Sequence, residues 1–317
     1  MRKGLIVGID YYENINPLYG CVNDSFAVKT VLDRHSDGTI NFSSKHRVAN
    51  ADKSRITRKE LKDLAIELFK DDSEVALFYF SGHGYVENTG GYLITSECSD
   101  GDDGLALNEL LQIANESPAR NKIIVLDCCH AGYAGKKAGG DKESTLSEGL
   151  TILTASSEDQ YAIEENGSGV FTSLLVDALN GSASNLVGEI TPGSVYAHID
   201  QSLGPWEQRP IFKTNVKTFI SLRKVQPPIS LSELKEIVEL FPKKEDIFSL
   251  DPSFEPSEKS AIEENTEKFS LLQKFNRINL VVPIDEEHMY YAAMNSTGCQ
   301  LTILGEHYWN LVKKDRI

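Results

Sequence analysis

The feature that most constrains this chain is a series of short apolar runs that alternate with helical segments. The runs stay apolar at every position, as strands do when both faces of a parallel sheet are covered. Between them, apolar residues recur at helical spacing, for example Leu61, Leu64 and Leu68. The alternation predicts an α/β fold with helices on both faces of a mostly parallel sheet. The predicted strands cover 4–9, 75–84, 91–95, 122–129 and 150–156, and the predicted helices cover 21–35, 56–69, 105–115 and 168–180.

The residues after 224 have a different pattern. Paired prolines in QPPISLSE stop regular structure and predict a linker. We therefore expect a three-layer α/β/α sandwich over residues 1–224 and a small α+β or winged-helix-like module over 225–317. In the module, the pattern predicts helices at 230–241 and 286–295, a strand at 278–284, a loop or solvated helix at 244–268, and a short strand with a helix in 299–317.

Composition excludes several classes of function. The net charge of −15 argues against nucleic-acid binding, which needs clustered lysine and arginine. No apolar run approaches the roughly 18 residues of a membrane span, so we expect no membrane partner. Five cysteines, two of them adjacent, do not indicate a disulfide framework, so we expect a reducing, cytoplasmic location.

Two predicted strands end in residues that can carry chemistry, SGHG at 81–84 and DCCHAG at 127–132. Ligands of parallel α/β sheets bind outside the carboxyl ends of strands. A cysteine thiol needs a nearby base to become a nucleophilic thiolate, and His83 is a candidate. Its neighbours Gly82 and Gly84 are small, so we expect the imidazole to stand free. The backbone N–H of Gly84, together with that of the nucleophile, could bind an oxyanion.

These motifs resemble those of the caspase-like cysteine peptidases, especially the metacaspase-type and related bacterial members. In caspases the histidine lies about 50 residues before the cysteine, and here His83 and Cys129 are 46 residues apart. The metacaspase pattern of Asp, any residue, Cys, His, a small residue and Gly is matched by DCCHAG. The resemblance covers residues 4–222 and implies a caspase-like fold, with Cys129 as nucleophile and His83 as base.

Several alternatives stay open for this pair of motifs. Cys128 could be the nucleophile, because the alignment and not the chemistry separates it from Cys129. His130 could be the base, although it is the immediate neighbour of Cys129. Cys129 could also be a buried structural thiol, and His83 a turn histidine. A cysteine–histidine metal site is a further alternative, but no second ligand pair appears in the sequence.

The resemblance also implies a preference at P1, the substrate residue whose carbonyl is attacked. Metacaspase-like members carry an acid two residues before the nucleophile and another in an early Asn-Asp motif, which are Asp127 and Asp24 here. Two carboxylates in one pocket favour arginine or lysine at P1. The alternative for Asp24 is an acid that stabilises a helix N-terminus. In SSEDQYA, Asp159 and Gln160 are expected to contact substrate, with a solvated loop as the alternative.

Two loops contain residues that could regulate the protein, by self-cleavage in one and by calcium binding in the other. Lys136, Lys137 and Lys142 follow the cysteines in a Gly-rich loop and mark a candidate self-cleavage segment, with a flexible solvated loop as the alternative. SECSDGDDG resembles the acidic region that some metacaspases use for calcium, which would involve Asp100, Asp102 and Asp103. It lacks EF-hand spacing, so we predict no required cofactor or metal and leave calcium as the alternative.

The sequence therefore predicts a cysteine endopeptidase that cleaves peptides and proteins after arginine or lysine. The module at 225–317 is expected to control it by binding a small signalling molecule or a partner protein, with a simple packing role as the alternative. By analogy, such a protein would be a regulated bacterial effector in anti-phage defence or cell death. The alternatives are a non-catalytic caspase-like scaffold and a hydrolase of non-peptide amides or thioesters.

Overall fold

The chain forms two compact units, Met1–Gln226 and Pro227–Ile317. The division falls close to the linker expected after residue 224. The computed structural model describes residues 1–87, 90–128, 146–155, 164–165, 168–204 and 209–317.

Unit 1 contains most of the regular structure. Its strands are β1 (Arg2–Ile9), β2 (Ser43–Ala49), β3 (Val75–Ser81), β4 (Gly84–Glu87), β5 (Gly90–Leu93), β6 (Leu105–Ala106), β7 (Asn121–Asp127), β8 (Leu150–Thr154), β9 (Glu164–Glu165), β10 (Ser168–Gly169), β11 (Glu189–Ile190), β12 (Ile211–Asn215) and β13 (Arg223–Lys224). Its helices are α1 (Cys21–Asp33), α2 (Arg58–Phe69), α3 (Leu107–Asn115), α4 (Val170–Asp177) and α5 (Pro192–Ser202).

The central sheet has six strands in the order β12-β8-β7-β3-β1-β2. Every neighbouring pair is parallel except β12 with β8, which is antiparallel. The register aligns Gly8 with Ser81 and Ser81 with Asp127, so three central strands end at the same level. The mostly parallel sheet predicted from the apolar runs is confirmed.

Helices cover both faces of this sheet, because successive side chains of a strand point to opposite faces. Phe78 and Phe80 of β3 pack into one core with α2 and α3. Leu77 and Tyr79 of the same strand pack into a second core with α1, α4 and α5. The three-layer α/β/α sandwich is therefore confirmed.

The sheet has two strands that the sequence does not predict, β12 and β2, and they lie at its two edges. β2, with the sequence SSKHRVA, lies at the edge of the sheet and pairs with β1 alone. An edge strand needs fewer apolar residues than a strand buried on both faces. The predicted strand at 91–95 also differs, since β5 pairs with β4 and β6 in a separate small antiparallel sheet.

Unit 2 is an α+β module with a three-stranded antiparallel sheet in the order β14-β16-β15. Its helices are α6 (Leu231–Lys235), α7 (Ile237–Leu240), α8 (Glu263–Arg277), α9 (Met289–Met294) and α10 (Ile303–Lys313), and its strands are β14 (Ile247–Phe248), β15 (Val281–Pro283) and β16 (Cys299–Leu301).

Two helices of unit 2 differ from the expectation. The predicted helix at 230–241 is divided into α6 and α7. The acidic segment 244–268 predicted as loop or solvated helix leads into α8, which buries Phe269, Leu272 and Phe275. Its many charged residues lie on the face opposite these residues. The polar composition of the segment therefore does not reveal that one face of the helix packs in the core.

The longest helix of unit 2, α8, has 15 residues, fewer than the roughly 20 that cross a bilayer. Across the described ranges, no helix has both the length and the apolar character of a membrane span.

We predict that Gly8→Ala destabilises unit 1 by about 1–3 kcal/mol. A Cβ at Gly8 would collide with the backbone carbonyl of Cys21 and lie 2.6 Å from Ser25 Oγ. Gly4→Ala on the same strand is the matched control, because its Cβ would meet a hydroxyl that can rotate, Ser44 Oγ at 2.9 Å. Urea unfolding measures both. Equal losses in the free energy of unfolding would contradict the view that β1 and α1 need this close approach.

Candidate active site

The two chemically active segments meet where β3 and β7 end. Ser81 pairs with Asp127 across the sheet, and the N–H of Gly82 donates to the carbonyl of Asp127 at 3.3 Å. His83 follows Gly82, and Cys128 follows Asp127. The structure thus brings the histidine motif and the start of the cysteine motif to one edge of the sheet, as the sequence predicted.

His83 is held by three contacts. Its backbone N–H donates to the Tyr12 hydroxyl at 2.8 Å, and its ring lies against the Tyr12 ring with centroids 4.7 Å apart and planes at 52°. Its Nε2 lies 2.9 Å from the carbonyl oxygen of Asn16. A carbonyl oxygen only accepts, so Nε2 carries the proton in this hydrogen bond. In a neutral ring, Nδ1 is then the nitrogen that can take a proton.

These contacts correct the expectation that the imidazole stands free between two glycines. Gly82 makes room for Tyr12 instead, because a Cβ there would lie 2.8 Å from the Tyr12 hydroxyl oxygen and 2.9 Å from the Phe80 ring. Tyr12 is only 5% exposed. Burial raises the pKa of Tyr12 well above its usual range, so the phenol stays neutral and can accept the His83 N–H.

Sequence reasoning missed Tyr12. The signal that could have found it is its position directly beyond the first apolar run, in GIDYY. A residue there lies at the same edge of the sheet as the ends of the other parallel strands.

Two buried carboxylates, those of Asp24 and Asp127, converge on Gly169. Asp24 is 3% exposed and Asp127 is 6% exposed. A Cβ at Gly169 would lie 3.2 Å from Oδ2 of Asp24 and 2.6 Å from Oδ2 of Asp127, and the N–H of Gly169 donates to Asp24 at 3.0 Å. The structure therefore places together the two acids that the sequence singled out.

A series of hydrogen bonds through Tyr79 and Thr172 holds the Asp127 carboxylate of this pair. The hydroxyl of Thr172 donates to Asp127 Oδ2 at 2.6 Å, and the Tyr79 hydroxyl lies 2.6 Å from the same threonine oxygen. Since the threonine proton goes to Asp127, Tyr79 donates to Thr172. Burial, followed by the negative charges of Asp127 and Asp24, raises the pKa of Tyr79 well above its usual range. Sequence reasoning missed Tyr79, Thr172 and Gly169.

Cys128 is 2% exposed and belongs to the hydrophobic core beneath α2 and α3. A thiol in apolar surroundings is a poor nucleophile, which argues against the alternative that Cys128 attacks the substrate. The other candidates in this region lie outside the described residues. They are Cys129, His130, Lys136, Lys137, Lys142, Asp159 and Gln160.

The family model of the caspase domain, peptidase family C14, matches residues 1–236. The chain belongs to this family. The family consists of cysteine peptidases, hydrolases that act on protein substrates. This confirms the caspase-like resemblance drawn from the two motifs.

Solved structures show the same fold. A structural-genomics protein from Geobacter sulfurreducens has a TM-score of 0.52 and 15% identity, with 72% of this chain and 98% of that chain covered. Caspase-1 from Spodoptera frugiperda has a TM-score of 0.51 and 13% identity, with 71% and 91% covered. At such identities the similarity establishes the caspase fold alone. The curated proteins contain no match to this chain.

The acidic loop of the caspase domain uses one of its three aspartates, Asp103, for hydrogen bonds within the loop. The carboxylate of Asp103 accepts from the N–H groups of Ser99 and Asp100 and from the Ser99 hydroxyl. The backbone N–H of Asp100, followed by Ser99, lowers the pKa of Asp103. In the described ranges, no three acidic, histidine or cysteine side chains are grouped to hold a metal. The carboxylate of Asp103 is therefore occupied by hydrogen bonds within its own loop. That Asp100 and Asp102 bind calcium stays a prediction.

Tyr12→Phe removes the acceptor of the His83 N–H while keeping the aromatic ring. We predict a loss of about 1 kcal/mol in the free energy of unfolding. We also predict a fall of about tenfold in kcat with little change in KM, because a shifted base affects the chemical step more than binding.

The neighbouring Tyr11→Phe is the matched control, since the hydroxyl and the ring that contact His83 are those of Tyr12. Peptide kinetics and thermal unfolding measure both variants. A Tyr12→Phe protein that loses stability but keeps its kcat would show that Tyr12 has only a structural role.

Proposed function

We propose that this caspase-domain protein is a cysteine endopeptidase that cleaves after arginine or lysine. Cys129 is the nucleophile and His83 is the base. The observation that carries the proposal is the convergence of Asp24 and Asp127 on Gly169, at the edge of the sheet that also bears His83.

The proposed reaction starts when Nδ1 of His83 takes the proton of the Cys129 thiol. The thiolate sulfur bonds to the P1 carbonyl carbon, and the N–H groups of Gly84 and Cys129 stabilise the oxyanion. The carbon–nitrogen bond then breaks, and His83 gives its proton to the leaving amine. Water hydrolyses the thioester and restores the thiol. Gly84 begins β4 directly after His83, and Cys129 is bonded to the residue that follows Asp127.

Charge supports the proposed preference at P1. Two carboxylates in a poorly solvated site generate a strong negative potential. An arginine guanidinium can donate to both through its planar fork, and a lysine ammonium can do so as a point charge. An aspartate at P1 would add a third negative charge and be rejected. Asp159 and Gln160 are proposed to contact the substrate as well.

The wider role is also part of the proposal. Unit 2 has its own core and lies largely beyond the residues matched by the family model. We infer that it regulates the peptidase through a small signalling molecule or a partner protein, in a cytoplasmic bacterial effector of defence or cell death. Cleavage at Lys136, Lys137 or Lys142 would be a self-processing step. A chain lacking unit 2 that responds to cell extract as the full chain does would contradict the regulatory role.

Asp127→Asn and Asp24→Asn test the pocket, because each removes one charge and keeps the shape. We predict that kcat/KM for an arginine-P1 peptide falls about 100-fold in either variant, as expected for a lost charge-assisted contact. Kinetics with peptides that carry arginine, lysine, alanine or aspartate at P1 measure the effect.

Two controls accompany this test. Asp63→Asn changes an exposed acid of α2 that pairs with Lys59, and it should leave kcat/KM unchanged. Alkylation of Cys129 by iodoacetamide should persist in both pocket variants. Undiminished cleavage after arginine in the pocket variants would show that the pocket is assigned wrongly. A lack of turnover in the wild type, together with an unreactive Cys129, would favour the scaffold alternative.

A further inference from the structure

A cavity opens beside His83. It has a volume of about 240 Å³ and is separate from the carboxylate pair. Its Ile94 and Cys98 belong to the core beneath α2 and α3, whereas Asp24 and Thr172 belong to α1 and α4, which cover the other face of the sheet. The lining residues are Ile15, His83, Gly84, Tyr85, Ile94, Cys98, Ser99, Asp100 and Gly101.

The walls of this cavity are mostly apolar and well fixed. Ile94 and Cys98 are buried, and burial raises the pKa of the Cys98 thiol, which keeps it neutral. The Tyr85 ring lies so close to Gly101 that a Cβ there would collide with it. The exposed Asp100 gives the rim a negative charge. An apolar interior with a few polar groups is typical of a ligand site.

We propose that this cavity is the binding site for the P1′ side chain, the first residue after the cleaved bond. The inference rests on the proposed endopeptidase function. His83 must give its proton to the leaving amine, so the nitrogen of P1′ lies within hydrogen-bond distance of the imidazole. The P1′ side chain is attached one carbon beyond that nitrogen. A cavity that has His83 in its wall is therefore within its reach.

The position of the carboxylate pair supports the same assignment. With the P1 side chain directed toward Asp24 and Asp127 on one face of the sheet, the substrate crosses the edge of the sheet at His83. Side chains that flank one peptide bond in an extended chain point in opposite directions. The P1′ side chain is then directed toward the other face, where Ile94 and Cys98 lie.

The apolar walls and the charged rim of the cavity determine which P1′ side chain binds there. An apolar side chain such as leucine or phenylalanine would be removed from water by Ile15, Ile94 and Tyr85. An acidic side chain would lose hydration and face the charge of Asp100. We expect leucine at P1′ to be preferred over glycine by about tenfold, and aspartate to be poorer than glycine.

Four peptides test the inference, with arginine or alanine at P1 and leucine or glycine at P1′ in an otherwise constant sequence. A fifth carries aspartate at P1′, and a sixth carries phenylalanine there. Quenched versions give kcat/KM with the full-length wild type. Fluorescein-labelled versions give the Kd of the full-length Cys129→Ala variant by anisotropy, which needs no turnover. We expect the leucine preference in both measurements.

Substitutions in the wall of the cavity then test whether the leucine preference at P1′ arises there. Ile15→Trp fills the cavity and should abolish the advantage of leucine over glycine. Tyr85→Ala widens it and should shift the preference toward phenylalanine. Tyr85 is 42% exposed, so its replacement does not threaten folding. The matched control is Ile40→Trp, because Ile40 is 75% exposed and lies before β2, at the opposite end of the sheet. It should keep the wild-type ratio.

The outcomes separate the two proposals. Discrimination at P1 without discrimination at P1′ would overturn this inference and leave the proposed function intact. A leucine preference that survives Ile15→Trp, with no gain for phenylalanine in Tyr85→Ala, would also overturn it, because the side chain would bind elsewhere. Peptides that are neither cleaved nor bound would overturn the proposed function and this inference with it.

Discussion

The parallel register of β1, β3 and β7 is the constraint on which the candidate site depends. It brings Gly8, Ser81 and Asp127 to one level, so the residues that follow each strand emerge at a common edge. Tyr12, His83 and the start of the cysteine motif, Asp127, meet there although they are far apart in sequence. A slip of one residue in any of these pairings would turn each side chain to the other face of the sheet.

Glycines supply the space in which this edge is built. Gly8 lets β1 approach the start of α1, which carries Asp24, and Gly82 lets the Tyr12 hydroxyl reach the backbone of His83. Gly169 leaves room between the two carboxylates and donates its N–H to one of them. At each position a Cβ would occupy the place of a polar atom. The geometry of the site thus depends on the lack of a Cβ at these three glycines as much as on the reactive side chains.

The sequence predicted those parts of the structure that depend on local pattern. Apolar runs identified β1, β3, β7 and β8, the two strand-end motifs identified His83 and Asp127, and the early Asn-Asp motif of the family resemblance identified Asp24. The edge strand β2 was missed because it is polar, and α8 because its charges mask one buried face. The partners of the site were missed for a different reason. Tyr12 and His83 are 71 residues apart, and Asp24 and Gly169 are 145 apart, so no local pattern relates them.

The most direct test of the account is to find which atom a substrate-like electrophile modifies. Full-length protein is treated with a peptidyl-arginine acyloxymethyl ketone or its aspartate counterpart, and the modified residue is mapped by mass spectrometry. The account predicts that the arginine reagent labels Cys129, that the aspartate reagent does not, and that His83→Ala abolishes labelling. Modification of the buried Cys128, or faster labelling by the aspartate reagent, would contradict it.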